Sequence, residues 1–137
     1  MSAPHLDDRV LASLQEVMED EYPVLLDTFV LDSEERLRSL HAALQAGDAQ
    51  ALRHTAHSFK GGSKAWAGDA QALRHTAHSF KGGSSNMGAV LLAGYCKELE
   101  ESARRGDLQR APALIEQMER EFAIVRILFK QERQRYR

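Results

Sequence analysis

A chain of 137 residues has the size of one domain, and its 43% apolar content suffices for a single core beneath a well-charged surface. A formal net charge of −2 excludes a nucleic-acid reader built on broad phosphate neutralisation. The lone cysteine, Cys96, excludes an intrachain disulfide and a cysteine zinc cage, and no apolar run nears the roughly 20 residues that cross a bilayer.

The start, Met1-Ser-Ala-Pro-His-Leu-Asp-Asp, lacks the basic and apolar regions of a secretory signal, so a reduced, cytoplasmic location is expected. Proline is scarce, and apolar residues recur three and four positions apart along most of the chain. That period predicts an all-α protein. A first helix is expected over about Asp8 to Met18, burying Val10, Leu11, Leu14 and Val17. Glu19-Asp-Glu-Tyr-Pro23 interrupts it, and Pro23 suits the first turn of the next helix. This second helix is expected over about Pro23 to Ala46, with Leu26, Phe29, Val30, Ser33, Leu37, Leu40 and Leu44 on one stripe. Gly47 should end it and Asp48 should cap its successor.

The next segment occurs twice. Residues 46–63, AGDAQALRHTAHSFKGGS, return without a change at 67–84, with Lys64-Ala65-Trp66 spliced between them. Each copy carries its own Gly-Asp start and Gly-Gly finish. Ser84-Ser-Asn-Met-Gly88 then leads to a helix over about Ala89 to Arg105, with Leu92, Tyr95, Cys96, Leu99 and Ala103 inward. Gly106-Asp107 turns the chain into a last helix, about Leu108 to Gln134, burying Leu114, Ile115, Met118, Phe122, Val125 and Phe129. The basic tail Lys130 to Arg137 reads as a solvated helix end. Short connections make successive helices antiparallel neighbours. Residues 1–137 are therefore expected to form one domain: an up-down antiparallel four-helix bundle with a short extra N-terminal helix and an additional duplicated helix.

On a helical wheel of the second copy, Leu73, Ala77 and Phe80 fall together, and His78 points away from them. Gln71, Arg74, His75, Lys81, Gly82 and Ser85 surround His78 on the exposed face. A neutral imidazole nitrogen can attack an acyl phosphate and pass the group on. Lys81, three residues on, can neutralise phosphoryl charge, and Gly82, four residues on, leaves room for a partner. Arg74 and His75 extend a positive rim for partner binding, and Ser85 can donate a hydrogen bond. The first copy offers the same set as His57, Lys60 and Gly61.

Ala77-His-Ser-Phe-Lys-Gly-Gly-Ser-Ser-Asn-Met-Gly-Ala89 resembles the signature of histidine-containing phosphotransfer (HPt) domains, and Tyr95-Cys-Lys-Glu-Leu-Glu-Glu101 is similar to that family's continuation. Apart from the repeat, almost the whole chain resembles a stand-alone bacterial protein of this kind. The resemblance implies a four-helix bundle with one phosphorylatable histidine. Phosphate would arrive from the aspartate of one receiver domain and leave for another, in hybrid sensor kinases and response regulators. No cofactor is implied for this chain, since magnesium would belong to the partner receiver. Only the second copy runs into Ser-Asn-Met-Gly-Ala, which favours His78, while the first retains the normal entry from the preceding helix.

A rival class is a non-transferring interaction or self-associating module, its acceptor disrupted by the duplication. The spare copy also offers a dimer or an exchange of helices between molecules. His54-x-x-His57 and His75-x-x-His78 could bind zinc, but no carboxylate or cysteine accompanies them at ligand spacing, so no metal is assigned. His5 and His41 read as unpartnered surface residues, and Glu98, Glu100 and Glu101 as a solvated face. Without a P-loop, self-phosphorylation from ATP is not expected.

Overall fold

The computed structural model describes the backbone of residues 5–57 and 62–136, and the side chains of 5–46 and 70–136. Those residues form helices and turns, with no strand among them. In chain order they are α1 (Asp8–Met18), a 3-10 turn (Glu19–Glu21), α2 (Tyr22–His57), α3 (Gly62–Asn86), α4 (Val90–Arg104) and α5 (Ala111–Arg133).

Local chemistry sets most of these boundaries. The Asp7 side chain caps α1 by accepting from the Arg9 amide at 3.0 Å. Glu19, at φ 50°, stops α1 and starts the short turn. Pro23 falls in the first turn of α2, as expected, where its missing amide costs nothing. Pro112 does the same for α5, which begins at Ala111 rather than Leu108 because Asp107 holds a turn through the Gln109 amide, 3.2 Å away.

Helices α2, α3, α4 and α5 each contact their chain neighbour, and α5 closes the ring against α2. Two ion pairs and one histidine–carboxylate contact mark the α2–α5 register: Asp27 with Arg133 at 3.0 Å, Glu34 with Arg126 at 3.6 Å and His41 with Glu119 at 3.1 Å. Each step of seven along α2 matches a step of seven backwards along α5, so the two run antiparallel. The core is the expected one: Leu26, Phe29, Leu37 and Leu40 of α2 meet Leu73, Ala77 and Phe80 of α3. Leu92, Cys96 and Leu99 of α4 and Leu114 through Phe129 of α5 complete it. Phe29 and Phe129 stack at a tilt with ring centroids 5.3 Å apart. Each such leucine or phenylalanine contributes about 1.5–3 kcal/mol by leaving water.

The structure departs from expectation where elements meet. Val17 was expected inside but is 78% exposed, because α1 lies against the end of the bundle rather than within it. Val10, Leu14, Val30, Leu44 and Tyr95 are half-buried, whereas Tyr22, read as part of an interruption, is fully buried. His5 and His41 are not unpartnered. His41 joins the α2–α5 ladder, and His5 Nδ1 lies 2.7 Å from Oε2 of Glu121, a carboxylate nearly enclosed by the core.

Gly47 does not end α2, which runs on through the first copy to His57, and Gly82-Gly83 lies inside α3, which continues to Asn86. Among the described residues the first copy has no separate helix of its own: its residues 46–57 lengthen α2, and its Gly62-Ser63 opens α3. A single glycine costs a helix about 1 kcal/mol, too little to stop one that flanking turns keep propagating.

Candidate functional site

The second copy supplies the inner face of α3 and its outer face at once. Leu73, Ala77 and Phe80 are fully buried, which rotates His78 outwards, its side chain 65% exposed. Arg74, His75, Gly82 and Ser85 are exposed along the same helix, and Lys81 is half-buried beside the adjoining α4. These are the residues that the wheel placed together. His57 is the last backbone residue of α2, and its side chain, with Lys60 and Gly61, lies outside the described residues.

Sequence reading missed the residue that ties the site together. Glu100 of α4, taken for part of a solvated acidic face, points across at α3. Its Oε2 lies 2.8 Å from His78 Nδ1, and its Oε1 accepts from Lys81 Nζ at 2.6 Å. One carboxylate therefore holds both the imidazole and the ammonium. Antiparallel packing of α3 on α4 brings this residue, 22 positions downstream, opposite His78. Nothing in α4 alone distinguishes Glu100 from Glu98 or Glu101.

The Lys81 hydrogen bond, aided by His78 and opposed by partial burial, holds the Glu100 carboxyl below its ordinary value of 4.5. Glu100 is then ionised at neutral pH and can only accept hydrogen bonds. His78 Nδ1 must carry the proton. In the neutral form of the ring the lone pair is then on Nε2, the nitrogen not engaged by Glu100.

Space around the imidazole suits a macromolecular visitor. A Cβ built on Gly82 meets no atom within 4 Å, so the missing side chain relieves no crowding inside this molecule and only leaves its surface open. One helical turn from His78, Arg74 faces Arg104 and Arg105 at the end of α4 across a shallow cleft of about 280 Å³. That rim is basic. Further along α4, burial pushes the Cys96 thiol up to about 12, so at neutral pH it is an uncharged core group and no nucleophile. Among the described residues, no three histidine, cysteine, aspartate or glutamate side chains are grouped to hold a metal ion. No described helix is long and apolar enough to cross a membrane.

A family model described as the Hpt domain matches twice, over residues 24–66 and 64–127. The first match contains His57 and the second contains His78. No curated protein matches the chain. Among solved structures, the crystal structure of histidine-containing phosphotransfer protein B (HptB) from Pseudomonas aeruginosa PAO1 is 84% identical. Its TM-score is 0.82, and the alignment covers 99% of this chain and 100% of that one.

Proposed function

We propose that this chain, which belongs to the Hpt domain family, carries a phosphoryl group on Nε2 of His78 between the aspartates of two receiver domains. Histidine phosphotransfer within a phosphorelay is the family's work; the acceptor and the route are our assignment. One observation carries it: Glu100 engages Nδ1 at 2.8 Å, so the nucleophilic lone pair stands on the ring's other nitrogen, on an exposed side chain.

The reaction needs no proton transfer. The Nε2 lone pair attacks phosphorus in an aspartyl phosphate, the P–N bond forms, and the P–O bond breaks with its electrons returning to the receiver carboxylate. The ring becomes an imidazolium, balanced by Glu100. Lys81 stands one turn along α3, where its ammonium can neutralise the phosphoryl oxygens. Handing the group on reverses each step with a second receiver. Gly82 gives the visiting domain close approach, and the Arg74–Arg104–Arg105 rim suits the acidic surroundings of a receiver aspartate. The metal ion of receiver chemistry belongs to that partner.

The second copy is favoured over the first because it supplies the buried face of α3 against α4. Incubation with a radiolabelled phospho-receiver tests this. His57→Gln should take up label like the wild type, and His78→Gln should take up none. Label retained by His78→Gln and lost by His57→Gln would move the acceptor to the first copy. Receiver binding with no uptake by any variant would favour a non-transferring interaction module instead.

A further inference from the structure

We infer that the cleft where α3 meets the end of α4 is a binding site for a diphosphate, free or carried on a nucleotide. Its lining holds three arginines from two helices: Arg74 of α3, Arg104 in the last turn of α4 and Arg105 directly after it. The inference does not depend on which histidine accepts a phosphoryl group.

Three guanidinium groups side by side repel one another, and here they gather on a chain whose formal net charge is −2. Elsewhere such groups are balanced: Arg120, Arg126 and Arg133 of α5 each pair with a carboxylate. Among the described residues, Arg74, Arg104 and Arg105 form no ion pair. Glu100 is taken by Lys81 and His78, and Asp107 accepts from the Gln109 amide. The negative pole of α4 accounts for cations at Arg104 and Arg105. Arg74 lies in the middle of α3, at no helix end, so that pole does not account for it.

The cleft is hollow because small residues line it. Ala70 and Ala103 are buried and bring only methyl groups, and a Cβ built on Gly106 meets no atom within 4 Å. Its volume of about 280 Å³ stands at the lower end of small-ligand pockets, about 300–1,000 Å³. Charge then selects the occupant. A guanidinium fork matches two phosphate oxygens at once. A single phosphate carries at most about two negative charges at neutral pH, too few for three arginines, and a second phosphate supplies the remainder. Gln71 adds an amide that can donate or accept. No lining residue is aromatic, so the cleft reads phosphates rather than a base.

Titration of the nitrogen-15-labelled full chain with pyrophosphate, at low ionic strength where exposed charges are least screened, tests the site. The amides of Gln71, Arg74, Arg104, Arg105 and Gly106 should shift together and saturate as one site. Arg74→Ala and Arg104→Ala should each weaken binding by about tenfold. Arg120→Ala, which removes the same charge from α5 outside the cleft, should leave the affinity unchanged. Orthophosphate should bind at least about tenfold more weakly than pyrophosphate. ADP separates the two sources: binding as tight as pyrophosphate or tighter assigns a nucleotide, and weaker binding assigns the free diphosphate. Shifts that spread over the surface without saturating, or an equal loss in Arg120→Ala, would show a diffuse response to charge and overturn the site. Equal affinities for orthophosphate and pyrophosphate would overturn the choice of a diphosphate.

Discussion

At the residue scale, a single carboxylate couples the reactive ring to the stability of the bundle. The Glu100 carboxyl is held below 4.5 in the folded protein, chiefly by Lys81 and secondarily by His78. A depressed carboxyl contributes stability that is fully present above its unfolded value and disappears as pH falls through the folded one. Wild type should therefore melt above Glu100→Gln at pH 7, and that advantage should fade in acid below 4.5 as the folded carboxyl takes up its proton, read from thermal melts at neutral and acid pH. Equal margins at both pH values would show that the ion pair contributes nothing to folding. Gly82 divides stability from docking. Its added Cβ meets nothing, and alanine favours a helix interior, so Gly82→Ala should gain about 0.5–1 kcal/mol in urea unfolding. Gly82→Leu should fold as well, yet slow uptake from a phospho-receiver by about tenfold, equivalent to about 1.4 kcal/mol of lost contact. Uptake from phosphoramidate, which needs no docking surface, should be unaffected.

At the scale of elements, the α3–α4 turn is the joint that cannot give. Gly88 sits at φ 76°, and a Cβ there would stand 3.1 Å from the Asp7 carbonyl oxygen and 3.2 Å from Val10 Cβ. The Asp7 amide also donates to the Gly88 carbonyl at 2.8 Å, seating the entry to α1 on this turn. Gly88→Ala should cost at least the 1–2 kcal/mol of a left-handed backbone and speed hydrogen exchange at the Asp7 amide. A variant as stable as wild type would mean that α1 is not seated there. The contrast with Gly82 shows what sequence could reveal. Inward residues of α2, α3, α4 and α5 were legible because a 3.6-residue period is a property of one helix. The outward placement of His78 followed from the same period. Glu100 and Glu121 were not legible, since each acts on a residue outside its own helix, His78 or His5, and only packing brings those pairs together. Val17 misled for the matching reason: α1 has an apolar stripe, but few neighbours to cover it.

At the scale of the whole molecule, the repeat raises a question that no local signal could answer, and the register of the bundle bears on it. Asp27–Arg133, Glu34–Arg126 and His41–Glu119 fix α2 against α5. Continued along α2, that register brings Ala49 level with Ala111, the first residue of α5. The later turns of α2 therefore run on without α5 beside them. Because the copies are identical, deleting residues 46–66 or residues 64–84 yields one and the same sequence, in which Gln45 is followed by a single Ala-Gly-Asp-Ala. Each core residue of α2, α4 and α5 survives that deletion, as do His78, Lys81 and their contact with Glu100. Closing a shorter connection changes the loop entropy by less than about 1 kcal/mol. The single-copy chain should thus unfold cooperatively, with a stability in urea within about 1 kcal/mol of the full chain. It should also take up phosphoryl label at its one remaining His-Ser-Phe-Lys-Gly-Gly motif. A large loss of stability would mean that the lengthened part of α2 belongs to the folded core. Retained stability with loss of labelling would place the working acceptor in the joint action of both copies.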